Sequence, residues 1–309
     1  MANNDTKEKT QKSCTIQKKA VTLQRKMAKI GVFDSGYGGL TILEAIRKAI
    51  PQYDFLYLGD NARAPYGTHS FDVIYRYTLQ AVQYLLEQDC ALVILACNTA
   101  SAKALRTIQQ TYLVSRNIGI PESRKVNVLG VIRPTVEAVP DITKSGHVGI
   151  LATPATVSSE SYVLELQKIA PDLTITQQAC PMWVPLIEAG EHDKEGADYF
   201  VEKYLRDILS KDPQIDTLVL GCTHYPLLRE KIDGWIRNNR NNPGIQTIAQ
   251  GELEAKSLAD YLKRHPEYRE QLSTGGSCTY LTTENADRFS QSASIFLNAP
   301  IQAEHIDLN

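Results

Sequence analysis

The chain has 309 residues, enough for about two domains at ~150 residues each and for a sizeable buried core. Hydrophobic residues at 43% and charged residues at 22% match a globular average, which excludes a wholly disordered chain, collagen or a coiled coil. No run approaches the ~18 uninterrupted apolar residues of a membrane span, and a net charge of -2 gives no global attraction to nucleic acid or an anionic membrane.

The charge is uneven along the chain. Residues 1–29 hold eight Lys/Arg against Asp5 and Glu8, a net of +6, so the remainder carries -8. This leader lacks the apolar core of a secretory signal. The expectation is a solvated, basic extension over residues 1–28. Six cysteines without a CxxC pair or finger-like spacing argue against a disulfide framework or zinc, and make the cytoplasm the default compartment.

Short apolar runs then alternate with amphipathic stretches, the pattern of an α/β chain. KIGVFDS (29–35), YDFLYLGD (53–60) and CALVILA (90–96) read as strands. LTILEAIRKAI (40–50) and residues 71–88 read as helices, the second with Val73, Ile74, Tyr77, Ala81, Tyr84 and Leu85 at helical spacing. Strands apolar along their whole length suit a parallel sheet covered on both faces. The theme restarts with strands at 126–132, 147–152, 173–181 and 215–221 and helices at 159–170 and 197–209. The tail holds IQTIAQG (245–251), a helix from about Glu252 to Arg264, and YLTT (280–283). Turn-rich stretches at 115–125 and 238–244 mark crossings. They predict one lobe from residues 29–120 plus 245–309 and a second from 126–240.

An internal repeat carries the functional reading. LVILACNT (92–99) and TLVLGCTH (217–224) each give an apolar strand, a small residue, a cysteine and hydrogen-bonding residues. The two cysteines are 125 residues apart, and the lobes' first strands are offset by about 118. Two copies of one α/β unit follow. Ligands of open parallel sheets bind beyond the carboxyl ends of strands, so Cys97 and Cys222 are expected to face one another across the cleft. A single buried cysteine is usually packing; two at equivalent repeat positions point to chemistry. Asp34 and Ser35, Asp60 and Asn61, Thr153 and Thr156, Glu188 and His224 follow other strand ends near the same place, although each alone fits a cap or turn.

Two facing thiols suit inversion at carbon. One takes a proton from one face and the other delivers a proton to the opposite face, with no metal or organic cofactor required. The base must be a thiolate, which neighbouring hydrogen bonds and a helix N-terminus favour. The carbanion needs donors on its carboxylate, and Asn98, Thr99 and Thr223 are suitably placed. Asp34 beside Cys97, and Glu188 with His224 beside Cys222, are candidates to assist proton traffic.

FDSGYGGLTIL (33–43), DNARAPYG (60–67), ACNTASA (96–102) and GCTHYPLL (221–228) together resemble the glutamate racemases of the aspartate/glutamate racemase family. ACPMWVPLIEAG (179–190) and AEHIDL (303–308) extend the resemblance from about Lys29 to the C-terminus. It implies cofactor-independent inversion of glutamate for peptidoglycan, with Cys97 and Cys222 as the acid/base pair. It further implies a substrate site of Asp34, Ser35, Tyr66, Gly67, Asn98, Thr99, Thr223 and His224, supported by Glu188. The implied fold is two similar α/β lobes, each a mostly parallel sheet flanked by helices, related by a pseudo-twofold, with the active site in the cleft between them. A homodimer acting on a small molecule, with neither nucleic acid nor membrane as partner, is the implied assembly.

Two positions depart from the family pattern. Arg133-Pro134-Thr135 stands where an acidic residue, Pro and Gly are usual, and Asn61 replaces a Thr. Three rival readings remain open at this point. Gly36-Tyr37-Gly38 partly matches a dinucleotide fingerprint, but Thr41 occupies the last Gly position and both cysteine motifs stay idle. The others are a two-lobe binder of small anions without chemistry, and a cysteine-based isomerase or decarboxylase acting on aspartate or another carboxylic acid.

Overall fold

The computed structural model describes residues 27–239, 244–297 and 299–308, so the expected basic extension lies outside the described residues except for Met27 and Ala28. Ala28 is already tied in, its N–H donating to Gln271 O and its carbonyl accepting from Ser273 N, both at 2.8 Å.

The strands are β1 (Lys29–Asp34), β2 (Phe55–Gly59), β3 (Cys90–Leu95), β4 (Asn127–Gly130), β5 (His147–Ala152), β6 (Thr174–Ala179), β7 (Thr217–Gly221), β8 (Gln246–Ile248), β9 (Cys278–Thr282) and β10 (Ala303–His305). They form a six-stranded sheet in the order β10-β9-β2-β1-β3-β4 and a four-stranded sheet in the order β6-β5-β7-β8. Every paired neighbour runs parallel. The orders β2-β1-β3-β4 and β6-β5-β7-β8 are the same, with β1 matching β5 and β3 matching β7. The duplication read from the two cysteine segments is therefore a duplication of topology.

Two strands change sides relative to expectation. β4, read as opening the second lobe, pairs with β3 from Leu92↔Asn127 to Leu95↔Gly130. β8, read with the first lobe, pairs with β7 from Thr217↔Gln246 to Val219↔Ile248. The stretches at 115–125 and 238–244 precede the fourth strand of each copy in the chain, so they do not mark the crossings between sheets. The chain crosses between sheets afterwards, at Val131 and again at Ala249, where the helices Ile132–Ile142 and Gln250–Arg264 begin.

Both sheets are covered on both faces, as the uninterrupted apolar strands require. On one face of the six-stranded sheet, Leu40, Leu43 and Ile46 of the helix Gly39–Ala49 pack with Ala255, Leu258 and Leu262 of Gln250–Arg264 against Ile30, Val32, Leu92 and Ile94. Ile74, Ala81, Val82 and Leu85 of Phe71–Glu87 cover Phe33, Val93 and Leu95 on the other. In the second sheet, Val201, Leu205 and Ile208 of Glu195–Lys211 meet Leu151, Leu218 and Leu220. Val136, Val139, Tyr162 and Leu166 cover Val148, Ile150 and Val219 opposite. Full burial of one such aliphatic side chain contributes ~1.5–3 kcal/mol. Among the described residues no helix is long and apolar enough to cross a membrane.

Two carboxylates fasten loops at the amino ends of the strands. Asp54 accepts from Gly275 N, Ser277 N and Ser277 Oγ at 3.1, 2.8 and 2.6 Å. Asp216 accepts from Thr143 Oγ1, Lys144 N and Ser145 N, each at 2.7 Å. Partial burial works against the charge, but these hydrogen bonds prevail and hold each carboxyl at about 2. A depressed folded-state pKa adds stability that is present above the ordinary value of 3.8 and is lost as pH falls through about 2. Asp54→Asn and Asp216→Asn are thus expected to lower Tm by a few degrees at neutral pH and to converge on the parent chain in strong acid. Calorimetry across pH checks this; a deficit that persists unchanged in acid would refute the ionic origin.

Candidate active site

Four strand ends meet between the sheets. β1 delivers Asp34 and Ser35, β3 delivers Cys97, β5 delivers Thr153 and β7 delivers Cys222. In each copy the chain leaves the first strand toward one side and returns on the other, so β1/β3 and β5/β7 flank the points where strand order reverses, where open parallel sheets form crevices. A cavity of about 50 Å³ occupies that place. Its wall includes Ser35, Tyr66, Gly67, Cys97, Asn98, Thr99, Glu188, Cys222, Thr223 and His224. Of the strand-end residues expected near the site from the sequence, Asp34, Asp60, Asn61 and Thr156 are missing from the wall; of these, only Asp34 belonged to the substrate site that the resemblance implied. Asp34 is fully buried behind the wall, its Oδ2 accepting from Gly36 N at 2.9 Å, because the chain turns sharply after β1 and projects Ser35 instead.

Missing side chains allow the close approach of the two lobes. A Cβ placed on Gly38 would lie 2.4 Å from His224 Nδ1 and from Thr223 Oγ1, and one on Gly36 would lie 2.9 Å from Glu188 Oε1. The Gly-x-Gly that weakly suggested a phosphate loop is a contact surface for the opposite lobe. Thr41 Oγ1 donates to Thr223 O at 3.2 Å, and the hydroxyls of Thr99 and Thr153 are 3.0 Å apart. The cavity between them has room for only a handful of water molecules.

The two sulfurs have different surroundings. Cys97 caps the short helix Asn98–Lys103, accepting from Ala100 N at 3.4 Å, and lies 3.3 Å from Ser35 Oγ. These bonds favour the thiolate, as expected, but burial and then the Asp34 charge outweigh them and push the Cys97 thiol up to about 12. Asp34 is itself raised by burial. Cys222 lies 3.9 Å from His224 Nδ1, and His224 Nε2 lies 3.1 Å from Glu188 Oε1. Burial opposes the imidazolium, yet Cys222 and Glu188 overcome it and raise His224 to about 10. One side of the cavity thus presents a protonated thiol and the other a cation beside a sulfur. Tyr66 is fixed by its hydroxyl, which donates to Asp60 Oδ2; Asp60 also accepts from Arg63 Nε at 2.7 Å and Thr283 Oγ1 at 2.8 Å.

The sequence model of the Asp/Glu/Hydantoin racemase family matches residues 40–251. The chain is 41% identical to a glutamate racemase of Ruegeria sp. (strain TM1040) over 285 residues, covering 89% of this chain and 98% of that one. The chain belongs to the Asp/Glu/hydantoin racemase family. A glutamate racemase of Geobacter metallireducens is 38% identical over 88% of this chain and 93% of its own. Among solved structures, a Bacillus anthracis glutamate racemase superimposes with a TM-score of 0.79 at 29% identity, covering 91% of this chain and 98% of that one. A Francisella tularensis glutamate racemase, solved in complex with D-glutamate, does so with a TM-score of 0.77 at 30% identity over the same shares. Family membership makes this racemase chain an enzyme of the isomerase class.

Some residues of the wall escaped sequence reading. Cys180, 1% exposed, lines the cavity as a third thiol, pushed well up by burial. The repeat held the signal, since Cys180 follows β6 as Asp60 follows β2, its counterpart. Tyr162 and Gln250 do not line the cavity but hold Asn98; one reads as helix core and the other as part of a strand.

Gly38→Val is expected to force Thr223 and His224 away and hold the lobes apart. Small-angle scattering should give a larger radius of gyration, and iodoacetamide should alkylate Cys97 and Cys222 several-fold faster. An unchanged radius and unchanged alkylation would refute the contact. Glu188→Gln removes a partner of the imidazolium, so nitrogen NMR should find His224 titrating below about 10; an unmoved titration would assign the shift elsewhere.

Proposed function

We propose that this chain is a cofactor-independent racemase that interconverts L- and D-glutamate by proton transfer at Cα between Cys97 and Cys222. The observation that carries the reading is that two sulfurs, from equivalent positions of a duplicated unit, line one cavity. The names of the relatives supply the substrate.

In one direction Cys222, as thiolate, takes the Cα proton and becomes a thiol. The electron pair left on Cα spreads into the α-carboxylate. Cys97, held protonated by burial, then gives its S–H proton to the opposite face and becomes the thiolate. The reverse reaction exchanges the roles. His224 provides the positive charge beside Cys222, and Glu188 keeps it there. Asn98, Thr99 and Thr223 supply donors where carboxylate charge grows. Ser35 steadies the Cys97 sulfur, while the charge of Asp34 behind it helps to keep the proton on that sulfur. Tyr66 and Gly67 close the pocket on the substrate's other side. D-Glutamate made this way serves peptidoglycan synthesis.

L-Glutamate in D₂O is expected to racemise and to gain deuterium at Cα without added cofactor. Cys97→Ala and Cys222→Ala should each lower racemisation by roughly 10²–10⁴-fold. Each variant should retain at most one-sided exchange, from opposite enantiomers in the two cases. Wild-type turnover in either variant would sink the two-base assignment. Binding without exchange would make the chain a carrier, and faster turnover of aspartate would move the substrate.

A further inference from the structure

Gln250 is 2% exposed and opens the helix Gln250–Arg264 at the second crossing between sheets. Its Nε2, with two hydrogens, has three acceptors within reach: Val131 O at the first crossing (3.1 Å) and Thr135 Oγ1 (3.1 Å), which share one hydrogen, and Tyr162 OH (2.9 Å), which takes the other. Its Oε1 accepts from Asn98 Nδ2 at 2.6 Å, and Tyr162 OH donates to Asn98 Oδ1 at 2.7 Å. Asn98, Gln250 and Tyr162 therefore form a closed ring in which each side chain donates to the next.

The direction of that ring is fixed from outside it. A backbone carbonyl only accepts, so Val131 O compels Gln250 to turn its NH₂ toward the crossing and its oxygen toward Asn98. Asn98 must then offer Nδ2 to Gln250 and Oδ1 to Tyr162. Its second Nδ2 hydrogen has no partner in the ring, and Asn98 lines the cavity. Thr135, which departs from the family pattern, is fully buried and adds a further acceptor for the same NH₂.

We propose that Gln250 and Tyr162 are positioning residues that lock the Asn98 amide as a hydrogen-bond donor to the substrate carboxylate, with its orientation set by the two crossings between lobes. The assignment rests on the racemase reading above. Neither residue touches the substrate, so both act through Asn98.

Tyr162→Phe keeps the ring's packing and removes one hydroxyl. It is expected to lower kcat/KM for glutamate at least ten-fold, with a higher KM and a lower kcat, because a mobile amide loses hold of the bound carboxylate and of the charge that grows on it. Asn98→Ala should lower kcat/KM, and adding Tyr162→Phe in that background should change kcat/KM less than twofold. Gln250→Glu, which cannot donate to Val131 O, should behave as Tyr162→Phe does if it folds. Additive losses, or a Tyr162→Phe enzyme with unchanged kcat/KM, would overturn the proposal. The Asn98 side-chain amide followed by nitrogen NMR gives a readout independent of turnover. Slow hydrogen exchange there that Tyr162→Phe abolishes supports the lock even if the parent chain fails to racemise glutamate, in which case the racemase reading alone has failed. Fast exchange in the parent chain overturns the lock.

Discussion

The site depends on the seating of the turn after β1 against the loop after β7. A parallel sheet exposes functional side chains at the carboxyl ends of its strands, so two such sheets share a ligand only if those ends meet. Here they meet because Gly36 and Gly38 carry no side chain where Glu188, Thr223 and His224 press in. Thr41 and the Thr99–Thr153 contact reinforce the same closure. The duplicated topology then brings both cysteines to one cavity, each one residue past the small residue that follows or ends its strand.

Duplication supplies the geometry without making the two halves chemically alike. Cys97 faces Ser35 with the buried Asp34 behind, a setting that keeps a proton on sulfur. Cys222 faces the His224–Glu188 pair, a setting that supplies positive charge. The proposed proton transfer draws on that difference, with Cys97 as the protonated thiol and a cation beside Cys222. The lobes differ at the residues around each sulfur and agree at the residues that set position.

The sequence carried the part of this that repeats or alternates. Wholly apolar strands announced buried parallel sheets, and the two Cys segments announced the duplication. Asp34 was legible as a site residue but not as one behind the wall, because burial at a turn depends on the opposite lobe. The helices Ile132–Ile142, Trp183–Glu188, Arg229–Asn238 and Ala286–Leu297 were not read. Pro134 and Pro140 mask the first, six residues are too few to show a period in the second, and polar residues dilute the apolar face of the third. Gln250 lay in a run read as strand, and its role arises from partners 88 to 152 positions away. β4 and β8 were assigned to the wrong lobes because turn-forming residues mark any change of direction, whether inside a unit or between units.

The small size of the cavity bears on the proposed reaction. A space of about 50 Å³ has room for a handful of waters, and a ligand seated there displaces them. With water displaced, each remaining dipole acts with less screening. In the proposed mechanism the burial that raises the Cys97 thiol keeps its proton on sulfur until a stronger base, the carbanion, is within reach. Burial would then do two things at once: strengthen the donors assigned to the carbanion, and withhold the proton from weaker acceptors. The chain passes between the sheets at Val131 and Ala249, and Gln250, next to the second crossing, bonds to Val131 O at the first. On the proposal above, the orientation of the Asn98 amide is therefore tied to the way the two sheets are joined.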